Sequence, residues 1–239
     1  QSNFQWNDFL FRKEDHYAMT KYAILMDWID QLRQNEVDCI KTVLVIGCGS
    51  GELAVMLSDK GFEVTAFDID QASVALAKKI SGTRASSIRF LISTLEEFPS
   101  NQQYDLVIAT DVIEHISNDK LACEKILELT QAKKFIIITV PAMQFLFGIH
   151  DEKLGHYRRY NQNQLKSLFK SKTNILKSRY FGLFFVPLTF FISRVFRKSY
   201  PQPNGKKSVF SQILKFLFGI ERKCPGPIGT SLLMLSQKL

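Results

Sequence analysis

The sequence has few cysteines and no apolar run long enough to cross a bilayer. Its four cysteines lie far apart, without the paired spacing of a zinc site: Cys39, Cys48, Cys123 and Cys224. Because no signal-peptide pattern accompanies them, a reducing, cytoplasmic setting is expected rather than a disulfide framework. The uncharged apolar run of residues 181–193 is 13 residues long, which is shorter than the roughly 20 residues that span a membrane. No transmembrane helix is therefore expected.

Acidic residues are scarce near the end of the sequence. Residues 1–181 contain 22 basic and 22 acidic residues, whereas residues 182–239 contain nine basic residues and one acidic residue, Glu221. The net charge of +8 therefore comes entirely from the last part of the sequence. Such an imbalance predicts an anionic partner, either nucleic acid or an acidic membrane surface.

Short apolar runs alternate with helix-like stretches, a pattern that predicts βαβ units around a largely parallel sheet. The predicted strands are residues 42–46, 63–68, 89–93, 104–109, 135–140, 174–181 and 231–236. The predicted helices are residues 16–33, 52–60, 72–80, 120–130 and 162–169. The first of these helices precedes the first strand and is expected to cover the sheet.

The first predicted strand runs directly into three glycines at every second position, in VLVIGCGSGEL. Such a strand–turn–helix junction lets a ligand approach free backbone N–H groups at the carboxyl end of the sheet. Glu52 stands where the dinucleotide pattern G-x-G-x-x-G has its third glycine, which argues against a nicotinamide cofactor. Asp68 ends the next strand, where a carboxylate can accept ribose hydroxyls. Asp70 is predicted to cap the following helix.

The stretches VLVIGCGSGEL, VTAFDID and YDLVIATDVIEHI resemble successive motifs of class I S-adenosylmethionine-dependent methyltransferases. This resemblance implies an α/β, Rossmann-like seven-stranded sheet with helices on both faces and an antiparallel last strand. The glycines would surround the methionine part of S-adenosylmethionine, Asp68 would hold its ribose, and residues 94 and 95 would flank its adenine. The implied cofactor contacts are Lys21, Gly47, Cys48, Gly49, Gly51, Asp68, Ile69, Thr94, Leu95 and Thr110.

Four parts are predicted along the chain. They are an N-terminal helical cover (1–38), the cofactor-binding α/β domain (39–181), a basic amphipathic helical insertion (182–226) and the final strand (227–239).

The acceptor side is expected beyond the fourth and fifth strands. Residues 110–113 do not match the Asn/Asp-Pro-Pro-aromatic motif of nucleobase amino-methylating relatives, so a nucleic-acid acceptor is not expected. His115 has the pKa range of a general base, although a Glu-His pair also commonly begins a helix in this family. Both interpretations of His115 stay open.

The stretch Gly155-His156-Tyr157-Arg158-Arg159-Tyr160, with Asp151 before it, resembles a methyltransferase subgroup often encoded beside enzymes of cell-surface polysaccharides. Asp151 and His156 are candidate acid–base residues, and the candidate acceptor-binding residues are Arg158, Arg159 and Tyr160. Alternatively, Asp151 pairs with an arginine to order the loop. No metal ion is expected, because the spacing of His150, Asp151 and His156 matches no usual ligand set.

Two stretches of the insertion are rich in phenylalanine and leucine: residues 181–196 and residues 209–220. In each, the polar residues form one stripe at helical spacing and basic residues flank the apolar faces, which is typical of helices lying in a membrane interface. A hydrophobic lid over the acceptor and a dimer interface are the alternatives. An RNA-binding role is not expected, because the aromatic residues have core-like spacing.

The sequence thus predicts a methyltransferase acting on a hydroxyl or carboxylate of a glycan or lipid-linked intermediate at the inner membrane face. One alternative is a soluble O-methyltransferase of a quinone-like or natural-product small molecule, with the insertion as a lid. Another is a cofactor-binding protein without catalysis. The expected location is cytoplasmic, with peripheral attachment to an anionic membrane through residues 182–226, and the oligomeric state stays open.

Overall fold

The computed structural model describes residues 15–35, 40–198 and 209–239. Cys39 and the Pro/Gly-rich residues 201–205 of the insertion lie outside these ranges. All seven predicted strands lie within them, so the sheet can be compared with its prediction strand by strand.

Seven strands form one sheet, in the order β3-β2-β1-β4-β5-β7-β6. Their bounds are β1 Thr42–Ile46, β2 Glu63–Asp68, β3 Ile88–Ile92, β4 Tyr104–Thr110, β5 Thr130–Pro141, β6 Thr173–Phe181 and β7 Ser231–Lys238. Strands β1 to β5 pair in parallel, and β7 runs antiparallel between β5 and β6. The predicted α/β sheet with an antiparallel last strand is therefore confirmed.

Eight α-helices are described. They are α1 His16–Asn35, α2 Glu52–Asp59, α3 Gln71–Ser81, α4 Asp119–Leu129, α5 Ile149–Leu154, α6 Gln162–Phe169, α7 Val186–Thr189 and α8 Val209–Lys223. A π-helical segment, Phe190–Val195, continues α7. The predicted helices differ from the observed ones by at most two residues at either end.

The central strands are apolar at nearly every position because helices cover both faces of the sheet. Residues 43–46 of β1 and residues 106–109 of β4 are at most 1% exposed and lie beside each other. Alternate residues of these strands belong to two separate hydrophobic clusters, one on each face. The carboxyl ends of the strands are thereby held at one fixed edge of a rigid sheet.

Strand β5 is longer than predicted, because it begins at Thr130 rather than at residue 135. Its first part contains Gln131, Lys133 and Lys134, and the prediction recognised only the apolar part of the strand. Thr130 pairs with Tyr104 across a register shift, and Lys133 has a positive φ of 62°. The irregular polar start of β5 carried no strand-like pattern.

The N-terminal cover and the insertion share one hydrophobic cluster with the sheet. Tyr17 of α1 lies against Phe181 at the end of β6 and against Phe218 of α8, with ring centroids 4.8 and 5.8 Å apart. The Tyr17 hydroxyl donates a hydrogen bond to Ser231 at the start of β7. The separately predicted segments 1–38 and 182–226 thus contribute to one packed core.

Candidate functional site

The glycine loop connects β1 to α2 at the carboxyl edge of the sheet. Gly47, Gly49 and Gly51 have φ values of 66°, 52° and 87°, a left-handed conformation that other residues adopt at a cost. A Cβ atom added to Gly47 would lie 2.5 Å from Cγ2 of Val112. The loop therefore needs glycine for its backbone shape and, at Gly47, for its close packing against the segment after β4.

Asp68 ends β2 beside this loop. Its Oδ2 accepts a hydrogen bond from the Gly49 N–H at 2.8 Å, and its Oδ1 accepts one from the Asp70 N–H at 3.0 Å. The residue is half-buried, so its carboxylate is fixed in direction but still accessible. Asp70 accepts hydrogen bonds from the N–H groups of Ala72 and Ser73 at the start of α3, which confirms the predicted cap.

Other predicted cofactor contacts lie around the same edge. Cys48 is buried, and burial raises the pKa of its thiol to about 12, so the thiol is neutral. Leu95 is buried in the core, whereas Ile69 is 72% exposed beside Asp68. Thr94 accepts a hydrogen bond from the Glu97 N–H at 3.1 Å and so closes the turn after β3.

An ion pair between a buried lysine and a partly exposed aspartate lies at the end of β4. Lys21, from α1, contacts the carboxylate of Asp111, which follows Thr110 at the end of the strand. Burial opposes the charge of Lys21, but Asp111 together with Tyr17 and Tyr22 outweighs it and raises the pKa of Lys21. The Thr139 hydroxyl holds the other oxygen of Asp111 at 3.1 Å. The structure therefore places Lys21 at the fourth strand, between the glycine loop and the acceptor side.

Glu114 is a fully buried carboxylic acid just beyond this ion pair. Within the described residues, neither of its carboxyl oxygens has a hydrogen-bond partner. Burial raises the pKa of Glu114 well above its ordinary value, and the negative charge of Asp111 adds to this effect. The surroundings of Glu114 therefore favour its neutral form.

Asp151 is the centre of a hydrogen-bonded network after β5. Its Oδ1 lies 2.9 Å from Nδ1 of His156 and accepts a bond from Nε of Arg159 at 2.8 Å. Its Oδ2 accepts a bond from the Gly148 N–H at 3.0 Å. Burial opposes ionisation of Asp151, but the partners His156 and Arg159 outweigh it and lower the pKa of Asp151. The loop-ordering pair of Asp151 with an arginine is thus present, formed by Arg159.

His115 and His156 meet although they are far apart in the sequence. Their rings lie edge to face with centroids 4.5 Å apart. Burial lowers the pKa of His115, and the neighbouring His156 lowers it further. The His115 imidazole is therefore neutral and able to accept a proton at neutral pH, and it is exposed to solvent on one side. All three candidate acid–base residues, including Asp151, lie in this one cluster.

The remaining predicted acceptor-binding residues have partners within the protein. Arg158 forms an ion pair with Asp119 at 2.9 Å, and the Tyr160 hydroxyl donates to the same carboxylate at 3.0 Å. Tyr160 is buried, and this burial raises the pKa of its hydroxyl. Their role in acceptor binding stays a prediction, as does that of Arg159.

Three carboxylates of the site were not singled out from the sequence: Asp111, Glu114 and Asp119. Asp111 and Glu114 lie in the quoted motif YDLVIATDVIEHI. An acidic residue shortly after a strand is also typical of the start of an ordinary helix, so the pattern did not indicate a functional role. Their burial and their partners depend on long-range contacts, which the local pattern does not contain.

The first part of the insertion buries two hydroxyl side chains and exposes several large apolar ones. Thr189 and Ser193 are buried, and the Ser193 hydroxyl accepts a bond from the His150 N–H at 3.1 Å. Four side chains at helical spacing point outward and are 41–52% exposed: Phe184, Leu188, Phe191 and Val195. We call these four residues the apolar stripe. Of the predicted polar stripe, Thr189 and Ser193 therefore face the protein, whereas Arg194 and Arg197 are exposed.

The second part of the insertion, α8, packs on α1 through Phe218. Its outer face carries Ile213, Phe216 and Ile220, which are 50%, 69% and 45% exposed. The sequence pattern also predicts Ser208 as part of the polar stripe of this second part, and Ser208 lies outside the described residues. Within the described ranges, none of the helices combines the length and the hydrophobicity needed to span a bilayer.

Comparison with known families identifies part of the chain. Residues 43–132 match the family model described as "Methyltransferase domain". The ubiquinone biosynthesis O-methyltransferase of Rickettsia canadensis (strain McKiel) is 38% identical over 113 residues, which cover 45% of this chain and 47% of that protein. The chain thus spans about half the length of the curated relatives it matches.

Solved structures share the fold over nearly the whole chain. An S-adenosylmethionine-dependent methyltransferase from Clostridium acetobutylicum has a TM-score of 0.62 at 14% identity, covering 97% of this chain and 98% of that chain. The magnesium protoporphyrin IX methyltransferase of Synechocystis PCC 6803, crystallised with S-adenosylhomocysteine, has a TM-score of 0.59 at 14% identity, covering 94% and 83%.

These comparisons confirm the predicted Rossmann-like methyltransferase fold. Residues 43–132 are similar to a methyltransferase domain, and S-adenosylmethionine is the cofactor type that agrees with this similarity. The G-H-x-R-R-Y subgroup and its association with polysaccharide synthesis stay predictions.

Proposed function

We propose that the chain is an S-adenosylmethionine-dependent O-methyltransferase whose acceptor is a quinone-like small molecule. The observation that carries this proposal is the juxtaposition of a glycine loop and Asp68 with a cluster of acid–base side chains. The relatives' name, ubiquinone biosynthesis O-methyltransferase, supports a phenolic hydroxyl as the acceptor group. It thereby favours the small-molecule alternative over the glycan acceptor first expected.

The chain's own residues fit the cofactor. Gly47, Gly49 and Gly51 leave the backbone open to a ligand at the edge of the sheet, and Asp68 is oriented by the Gly49 N–H to accept hydroxyl groups. When bound, S-adenosylmethionine supplies an electrophilic methyl group, and its transfer to an oxygen requires that the hydroxyl lose its proton. The residues beyond β4 must therefore position a hydroxyl and remove that proton.

Proton removal is assigned to the cluster of His115, His156 and Asp151. The lowered pKa keeps His115 neutral, so a ring nitrogen is free to accept a proton near neutral pH. Asp151 orients His156 through the 2.9 Å contact with its Nδ1. Arg159 and Gly148 hold Asp151 in place, so the cluster is preorganised before an acceptor binds.

The test is methyl transfer from methyl-tritiated S-adenosylmethionine by the purified full chain. The acceptor panel contains a prenylated catechol, a short soluble catechol, and a lipid-linked sugar. We expect labelling of a catechol, and His115→Gln should lower its rate without weakening cofactor binding. Labelling of the sugar alone would contradict the proposed acceptor. If the chain binds S-adenosylmethionine but transfers no methyl group to any compound in an extract of cellular metabolites, the non-catalytic alternative would be favoured.

A lipid-linked acceptor at a membrane surface is the second candidate, and the apolar stripe favours it. Its helical segment packs directly on the site, because a Cβ atom on Gly148 would lie 2.6 Å from the backbone oxygen of Ser193. Arg194 and Arg197 flank the stripe, and Arg194 donates to the Phe147 carbonyl at 2.9 Å. Apolar side chains beside basic ones suit an anionic bilayer. A prenylated quinone-like acceptor is compatible with the same surface.

A further inference from the structure

Three potential metal ligands converge in the acid–base cluster. One ligand atom each from Glu114, His115 and His156 lies within 4.8 Å of the other two. Glu114 and His115 belong to the short turn Ile113–His115 after β4, and His156 follows α5. From these contacts the geometry points to a divalent cation site formed by Glu114, His115 and His156.

The carboxyl group of Glu114 is the first argument for a ligand. It is fully buried, and both of its oxygens lack a hydrogen-bond partner among the described residues. A buried polar group without a partner is costly, so natural structures rarely keep one unless something else satisfies it. The imidazole rings of His115 and His156 lie close to this carboxyl group, so a cation bound between them would be in contact with all three side chains.

The outer partners of both histidines are the second argument. Histidines that bind metals usually use their other ring nitrogen for a bond to a carboxylate or to backbone, which fixes the tautomer. Nδ1 of His156 is held by Asp151 at 2.9 Å, and His115 is hydrogen-bonded to the backbone of Leu154. One nitrogen of each ring is therefore left for a ligand.

The donor set identifies the class of cation. Two imidazole nitrogens and one carboxylate oxygen suit Zn²⁺, Mn²⁺, Fe²⁺ or Co²⁺ rather than Ca²⁺, which takes only oxygen ligands. Three protein ligands leave coordination positions free, and the exposed edge of His115 gives solvent access. The sequence-based expectation of no metal rested on His150, Asp151 and His156, a different set of residues.

The consequence for an acceptor rests on the proposed function, whereas cation binding itself does not. A hydroxyl bound to a divalent cation loses its proton more readily, and the proton passes to water. The cation would then take the place of a free imidazole as the means of proton removal. His115 and His156 would act on the acceptor through it.

The experiment is a titration of the chelator-treated full chain with Co²⁺, followed by visible absorption and then by displacement with Zn²⁺. We expect one Co²⁺ per chain. Glu114→Gln and the solvent-exposed His115→Gln should each weaken binding at least about tenfold. His150→Gln, which changes a nearby histidine of α5 outside the set, is the matched control and should bind as the unchanged chain does.

Absence of Co²⁺ absorption by the folded chain would overturn the proposed site. Equal affinity of the unchanged chain, Glu114→Gln and His115→Gln would also overturn it, because the cation would then bind elsewhere. S-adenosylmethionine affinity is measured on the same metal-free samples. If the unchanged chain binds Co²⁺ but does not bind S-adenosylmethionine, the proposed function is rejected and the cation site remains supported.

Discussion

The proposed cofactor edge and the proposed acceptor edge of the sheet are built in different ways. At the proposed cofactor edge, backbone conformation and one carboxylate, Asp68, define the candidate site, and the glycine loop and the end of β2 are each one continuous stretch of sequence. At the acceptor edge, buried ionisable side chains from α1, β4 and the loop after β5 hold each other in place. The first arrangement leaves a local sequence pattern, whereas the second depends on contacts between distant segments.

Removing the centre of the acceptor network should have the largest effect. Asp151→Ala leaves Arg159 buried without its ion-pair partner, so we expect a loss of about 3–5 kcal/mol in the free energy of unfolding. Urea denaturation measures this loss. Asp27→Ala, which removes an exposed ion pair with Arg222, is the control and should cost at most about 1 kcal/mol. Equal losses for the two variants would contradict the structural role of Asp151.

Changing the cofactor edge should affect ligand affinity rather than stability. Asp68→Ala removes a charged hydrogen-bond acceptor worth about 1.5–3 kcal/mol, so S-adenosylmethionine should bind roughly 10–100-fold more weakly in calorimetric titration. Asp70→Ala is the matched control two residues away. It removes the cap of α3 and should cost about 1 kcal/mol of stability without changing affinity. An unchanged affinity for Asp68→Ala would show that the ribose contact is misplaced.

Variants of the apolar stripe should distinguish membrane binding from folding stability. Leu188→Ser and Phe191→Ser change exposed side chains, so each should leave stability nearly unchanged but weaken binding to anionic vesicles about tenfold or more. Co-sedimentation with phosphatidylglycerol vesicles measures this binding. Leu121→Ser, at an exposed leucine of α4, is the control. Failure of the unchanged chain to bind vesicles would reject the membrane interaction and favour a lid or a dimer interface.

The smallest expected effect lies at the opposite edge of the sheet. Asp105 accepts hydrogen bonds from the N–H groups of Lys41 and Thr42 at 2.9 and 3.0 Å. Burial opposes its charge, but these bonds and Lys134 lower the pKa of Asp105 below the ordinary 3.8. Its stabilisation is therefore present above about pH 4 and is lost as the pH falls through the lowered value.

Asp105→Asn should thus cost about 1 kcal/mol at pH 7 and less near pH 3, as measured by urea denaturation at both pH values. Cofactor affinity should not change, because the residue lies far from the carboxyl ends of the strands. A cost that grows as the pH falls would contradict the lowered pKa.

Most of the fold was predictable because each central strand carries its own pattern. Strands β1 and β2 were predicted with their observed bounds, since buried parallel strands are continuously apolar and end abruptly at glycine or aspartate. The start of β5 was missed because Gln131 and Lys133 are polar; Gln131 is half-buried and Lys133 is exposed to solvent. Pairing with β4, rather than composition, makes this part a strand.

The insertion shows the limit of pattern reading most clearly. Its polar and apolar stripes were visible in the sequence, but periodicity alone does not say which stripe faces the protein. Ser193 faces inward because Gly148 lets the two backbones approach closely, and this contact joins residues far apart in the chain. The same limit applies to Glu114, whose burial follows from neighbours outside its own turn.

The sequence by itself determined the sheet, its order of elements and the glycine–aspartate edge that we propose as the cofactor site. Those features follow from residue patterns shorter than one helix or strand, so local physics is sufficient to predict them. The tertiary structure alone decided which ionisable side chains meet, because the pKa and the partners of Glu114, His115 and Asp151 depend on burial and on charges from distant segments. It also decided that the apolar stripe points outward.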